Sequence, residues 1–154
     1  HVDPKRVYIM GISMGAMATY ELCWRYPHLF AAAVPICGGA DINRLHNAAD
    51  ISWRIYHGDA DPVVSVVFSR AAYKTLKMAG AKIVYREFAG CTHNSWNPAF
   101  NDPDLFIWLF KQKKGMNSFL QDCNMIIIHI LLKLSQIDQD KMLIYYHIEY
   151  PLNV

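Results

Sequence analysis

Three residue types that cooperate in acyl transfer lie far apart in this sequence. The first is Ser13, set between glycines in Gly11-Ile12-Ser13-Met14-Gly15, a Gly-x-Ser-x-Gly pattern. A serine hydroxyl is a weak nucleophile until a base takes its proton, and the base works best when a carboxylate orients it. Asp59 and Asp61, in Gly58-Asp59-Ala60-Asp61-Pro62, are candidate carboxylates. His93, in the loop that begins Gly90-Cys91-Thr92, is the candidate base. The order Ser, Asp, His is one in which such a constellation is distributed along a strand–turn–helix architecture. Each residue also has a plainer reading. Ser13 fits a helix cap, and Asp61, just before Pro62, fits a turn residue.

The chemistry requires elements that bring these groups together. Residues 7–10 are an apolar run that reads as a strand, and residues 15–25 read as a helix stopped by Pro27. Ser13 thus falls on the turn between strand and helix, with the glycines letting the two approach. Further strands are expected over 33–37, 51–57 and 81–88, and a helix through Met78, capped near Ser65 and closed by Gly80. Residues 41–50 read as a polar loop or short helix, and 89–101 as an irregular loop. Asp102 and Pro103 read as the N-cap and first residue of a helix to Gln112. Strands alternating with helices imply an α/β fold with a parallel sheet flanked by helices. In such sheets, functional groups collect at the carboxyl ends of the strands. Ser13, the Asp59–Asp61 pair and His93 all follow strand ends.

Composition narrows the remaining choices. The 154 residues suit one ordinary domain, and 53% hydrophobic residues with 18% charged residues fit a sheet buried on both faces. A net charge of +2 gives no electrostatic case for nucleic acid or a membrane surface. Cys23, Cys37, Cys91 and Cys123 are scattered, without the paired spacing of a metal site. Residues 125–134 form the longest apolar run, too short to span a bilayer, and fit a strand or a helix equally. After residue 114 the rhythm of strand and helix is lost. Residues 1–114 therefore read as one unit, which the resemblance described below implies is a partial domain, and 115–154 as a C-terminal extension. The chain begins at His1 with no signal-peptide pattern and reads as a fragment or processed product, which leaves the compartment open, secretion included.

Three segments carry a family resemblance: Gly11-Ile-Ser-Met-Gly15, His57-Gly-Asp-Ala-Asp-Pro-Val-Val64 and Gly90-Cys-Thr-His-Asn-Ser-Trp96. They resemble the α/β-hydrolase superfamily, and within it serine esterases of the polyhydroxybutyrate-depolymerase, feruloyl-esterase and dienelactone-hydrolase-like group, also labelled phospholipase/carboxylesterase. The similarity covers about residues 2–114. It implies the C-terminal half of an α/β-hydrolase fold, with Ser13 as nucleophile, Asp61 as acid and His93 as base; Asp59 is the substitute acid. It also implies that one oxyanion donor is the N–H of Met14, that a second comes from strands on the N-terminal side, and that the Ser13 strand lies at an open edge without them.

The expectation is a serine hydrolase of small-molecule or polymeric carboxylic esters, needing no metal or organic cofactor. Trp96 and Phe100 either line the acyl or alcohol pocket or pack against the last helix. His57, at a strand end, is expected to pack or bond locally. Two rival readings are a peptidase of the prolyl-oligopeptidase type, with the same triad, and a non-catalytic fragment acting as a binding or structural module.

Overall fold

The computed structural model describes residues 2–115 and 144–145. Four parallel strands follow one another across the sheet: β1 (Tyr8–Ile12), β2 (Ala32–Ile36), β3 (Ser52–Gly58) and β4 (Ile83–Phe88). Helix α1 (Met14–Arg25) joins β1 to β2, and α2 (Val66–Met78) joins β3 to β4. A 3-10 turn, Leu45–Ala48, lies between β2 and β3. Among the described residues two further helices follow β4: α3 (Trp96–Phe100) and α4 (Asp104–Lys111). β5 (Ile144–Tyr145) runs antiparallel against Gly11 and Met10, giving the order β4-β3-β2-β1-β5. The edge expected to be open thus carries β5 over those two residues. Residues 125–134 lie outside the described residues.

Strand alternation sorts the core into two layers. Ile9, Ala33, Trp53 and Ile55 point to the face covered by α1 and α2, where they meet Tyr20, Cys23, Ala72 and Leu76. Tyr8, Met10, Val34, Ile36 and Tyr56 point to the opposite face and meet Ala99, Leu105 and Leu109 of the last two helices. β2, in the middle, is buried at every position, so it reads as an unbroken apolar run. β4, at the edge, alternates between half-buried and exposed residues over most of its length. Its Glu87 accepts hydrogen bonds from the Arg70 guanidinium of α2 and the Tyr85 hydroxyl.

Two differences from the sequence reading stand out. The stretch 89–101 is not irregular throughout, because α3 occupies its second half. Its apolar residues pack against the core, which outweighs its short length and Pro98. The last helix starts one residue later than expected. Pro103 is its N-cap, while the Asp102 carboxylate accepts from the Asp104 N–H.

Candidate active site

The carboxyl ends of the four strands are in register. Ile12 lies beside Ile36, Ile36 beside Tyr56, and Gly58 beside Phe88. The residues that follow these ends share one rim. Ser13 turns the chain from β1 into α1 with φ 55° and ψ −116°, a left-handed conformation that a side chain adopts only under strain. Its N–H donates to the Ile36 carbonyl across the rim. The turn closes because position 11 has no side chain. A Cβ there would lie 2.0 Å from the Gly15 carbonyl oxygen and 2.7 Å from Thr19 Oγ1. Helix α1 begins at Met14; the Ala16 and Met17 N–H groups donate to the Ser13 carbonyl, and the Met14 N–H lies ahead of these first helical bonds.

Asp61 sits in the loop between β3 and α2. One of its oxygens, Oδ1, accepts from the N–H groups of Val63 at 2.8 Å and Val64 at 2.9 Å. The aspartate is therefore a turn residue, and the turn aims its other oxygen. Oδ2 stands 2.8 Å from His93 Nδ1. On the far side of the imidazole, His93 Nε2 is 2.9 Å from Ser13 Oγ. The Asp61 side chain has no exposed surface. Burial pushes its carboxyl up, but the hydrogen bonds from His93, Val64 and Val63 outweigh that and hold it below the ordinary carboxylate value. An ionised Asp61 only accepts, so Nδ1 of His93 carries a proton. In the neutral imidazole the lone pair of Nε2 then faces the serine hydroxyl.

The His93 loop is fixed by backbone contact. It crosses the end of β3 so closely that a Cβ on Gly58 would lie 2.1 Å from the Cys91 carbonyl oxygen and 2.6 Å from that of Thr92. Asp59 accepts from the Gly90 N–H at 2.6 Å. This aspartate ties down the start of the His93 loop and is not the carboxylate that meets the imidazole. Trp96 presents a perpendicular ring to His93, with centroids 5.9 Å apart. Phe100 stacks on Phe106 with nearly parallel rings. Both belong to the apolar packing of α3 and α4.

Two neighbours have no part in the chemistry expected from the sequence. Cys37 follows β2 with φ 47° and is buried against the rim. Burial raises its thiol to about 11, against the lowering effect of hydrogen bonds involving Ser13 and Ser95, so it is a neutral thiol. Its sulfur and the ligand atoms of Asp61 and His93 lie within 4.8 Å of one another. The latter two are engaged with each other by a hydrogen bond. His57, the penultimate residue of β3, is completely buried with its Nε2 3.2 Å from Asp61 Oδ2. The signal available for it was the i, i+4 spacing from Asp61, which has meaning only once the intervening turn is known.

A strained serine turn at the head of a buried helix, joined to a parallel sheet between two helical layers, defines an α/β-hydrolase fold. The phospholipase/carboxylesterase family model matches residues 1–110, and the chain belongs to that family. A 38-residue stretch is 50% identical to poly(3-hydroxyalkanoate) depolymerase C of Paucimonas lemoignei, covering 25% of this chain and 9% of that protein. The structure of a thermostable esterase superposes with a TM-score of 0.71 at 38% identity, covering 73% of this chain and 32% of the esterase. The acylaminoacyl peptidase of Pyrococcus horikoshii has the same fold, with a TM-score of 0.58 at 19% identity, covering 76% of this chain and 26% of the peptidase. The chain thus spans about a third of the esterase's length and under a tenth of the depolymerase's.

Proposed function

We propose that this chain carries the nucleophile, base and acid of a serine hydrolase that cleaves carboxylic esters. The observation that carries the reading is the unbroken line of hydrogen bonds from Ser13 Oγ through His93 to Asp61. In this mechanism His93 Nε2 takes the hydroxyl proton as Ser13 Oγ attacks the ester carbonyl. The imidazolium that forms lies against the buried Asp61 carboxylate, which stabilises it without taking its proton. The tetrahedral oxyanion accepts from the Met14 N–H, at the positive end of the α1 dipole. His93 returns the proton to the departing alcohol, leaving Ser13 acylated. Water, deprotonated by His93, then attacks the acyl group, and Ser13 leaves with its proton restored.

Ester over amide is favoured by the relatives at higher identity, an esterase and a polyester depolymerase. The peptidase likeness speaks for the fold alone. The test is a fluorophosphonate probe, which reacts only with an activated serine, together with a short-chain nitrophenyl ester. Labelling and turnover that vanish in Ser13→Ala are expected. Equal signals in the two proteins remove the proposal.

A further inference from the structure

The carboxylate of Asp61 faces two imidazoles. Its Oδ2 is 2.8 Å from His93 Nδ1 and 3.2 Å from His57 Nε2. His57 is wholly buried. Its Nε2 is also 2.9 Å from the Val64 carbonyl oxygen. A carbonyl and an ionised carboxylate both only accept, so Nε2 carries a proton. The other ring nitrogen, Nδ1, is 2.7 Å from Ser69 Oγ, and that hydroxyl lies 3.0 Å from the Gly38 carbonyl oxygen. Both nitrogens are therefore occupied, and a flip of the ring would bring carbon against three polar partners.

Val64 ties this arrangement to the turn. Its N–H grips Asp61 Oδ1 while its carbonyl receives the His57 proton. His57 thus clamps the turn that aims Asp61. It also sets a polarised N–H edge beside the oxygen that His93 uses. Among the described residues the charged group that faces it from the neighbouring strand is Glu87, its partner across to β4, which Arg70 of α2 neutralises.

We infer that His57 is a positioning residue of the hydrolytic site, fixing Asp61 from behind and drawing charge from its Oδ2, so that His93 stays unprotonated and ready to act as base. The inference rests on the proposed function. Removing the Nε2 proton leaves more negative charge on Oδ2 and favours protonated His93. The acid limb of activity then moves to higher pH. A merely structural loosening of Asp61 from His93 moves the limb to lower pH or not at all.

The experiment measures the rate of fluorophosphonate labelling of Ser13 against pH in the parent, His57→Gln and His57→Leu, with folding followed by circular dichroism. Glutamine keeps an N–H donor near the Nε2 position, so its rate and acid limb stay close to the parent's. Leucine lowers the plateau rate about tenfold and raises the acid limb by about half a pH unit. An acid limb in His57→Leu that is unmoved or lowered overturns the inference. A second measurement needs neither turnover nor a change at position 57. The ring N–H proton of His57 is followed by NMR in the parent and in Asp61→Asn, where the charge beside it is gone. An upfield shift supports the contact, and an unmoved resonance overturns it. Failure of Ser13 to label in the parent overturns the proposed function instead, and the NMR comparison then judges the coupling of His57 to Asp61 by itself.

Discussion

Tyr56 and His57 are consecutive residues of β3, and strand alternation sends them to opposite faces of the sheet. Each meets a buried carboxylate. Behind His57, Asp61 is held by two backbone N–H groups and two imidazoles. Behind Tyr56, Asp102 Oδ2 accepts from the Tyr56 hydroxyl at 2.7 Å and lies 3.0 Å from Arg86 and 3.3 Å from Arg54. Both carboxyls are pushed up by burial and then held below the ordinary value by their partners. For Asp102 these are Tyr56, the Asp104 N–H, Arg86 and Arg54; for Asp61, His93, Val64 and Val63. The difference lies in the counter-charge. Asp102 is neutralised permanently by two guanidinium groups, and it ties β3, β4 and the start of α4 together. Asp61 has no guanidinium partner among the described residues, and in the proposed mechanism its charge faces the cation that forms while His93 holds a proton. A carboxylate that braces a fold and one proposed to serve a reaction share depth and hydrogen-bond count. They part on whether the compensating charge is present beforehand.

That contrast is open to direct attack. The largest effect belongs to Asp61→Asn, which keeps the acceptor for Val63 and Val64 but removes the charge. Labelling of Ser13 is expected to fall by about 10⁴-fold, while the melting temperature moves little. Next comes Gly58→Ala. The new methyl group meets the Cys91 and Thr92 carbonyls and displaces the His93 loop, and a shift of about 1 Å costs about 100-fold in labelling rate. Asp102→Asn reverses the pattern, leaving Arg54 largely buried without its counter-charge. A loss of about 3 kcal/mol in denaturant unfolding is expected, with labelling unchanged wherever the protein remains folded.

The pH dependence of stability is a smaller effect. Asp102 and Asp61 titrate below their unfolded values, and Glu87 is held down to about 2, chiefly by Arg70. Groups depressed on folding stabilise fully above the unfolded carboxylate range, near pH 4, and lose that contribution as pH falls through their folded values. The melting temperature should therefore drop from about pH 4.5 downward, and more shallowly in Asp102→Asn.

The parallel sheet was readable in the alternation of apolar runs with helical stretches, because each β1–β4 strand is bounded by strong turn residues. The Ser13 turn was readable because only glycine permits the contact at position 11. Ser13, His93 and Asp61 were found at the expected strand ends, and the structure brings the three into hydrogen-bond range. Asp59 and Asp61 were harder to separate by sequence, since they differ only in which way a turn points them. The Asp102 cluster was not legible. Arg54, Tyr56, Arg86 and Asp102 are scattered along the chain, and their meeting depends on strand register, which local pattern does not encode. The same holds for α3, whose five residues form a helix because of what they cover.

The backbone at Ser13 gives the site a thermodynamic asymmetry. A left-handed φ suits glycine and disfavours serine by about 1–3 kcal/mol. Ser13→Gly should consequently melt at a higher temperature than the parent while losing all labelling, a gain that Ser13→Ala, which keeps the Cβ, would not deliver. Selection for robustness alone would thus act against the serine, and a screen that ranks variants by heat resistance would enrich chains without the Ser13 hydroxyl.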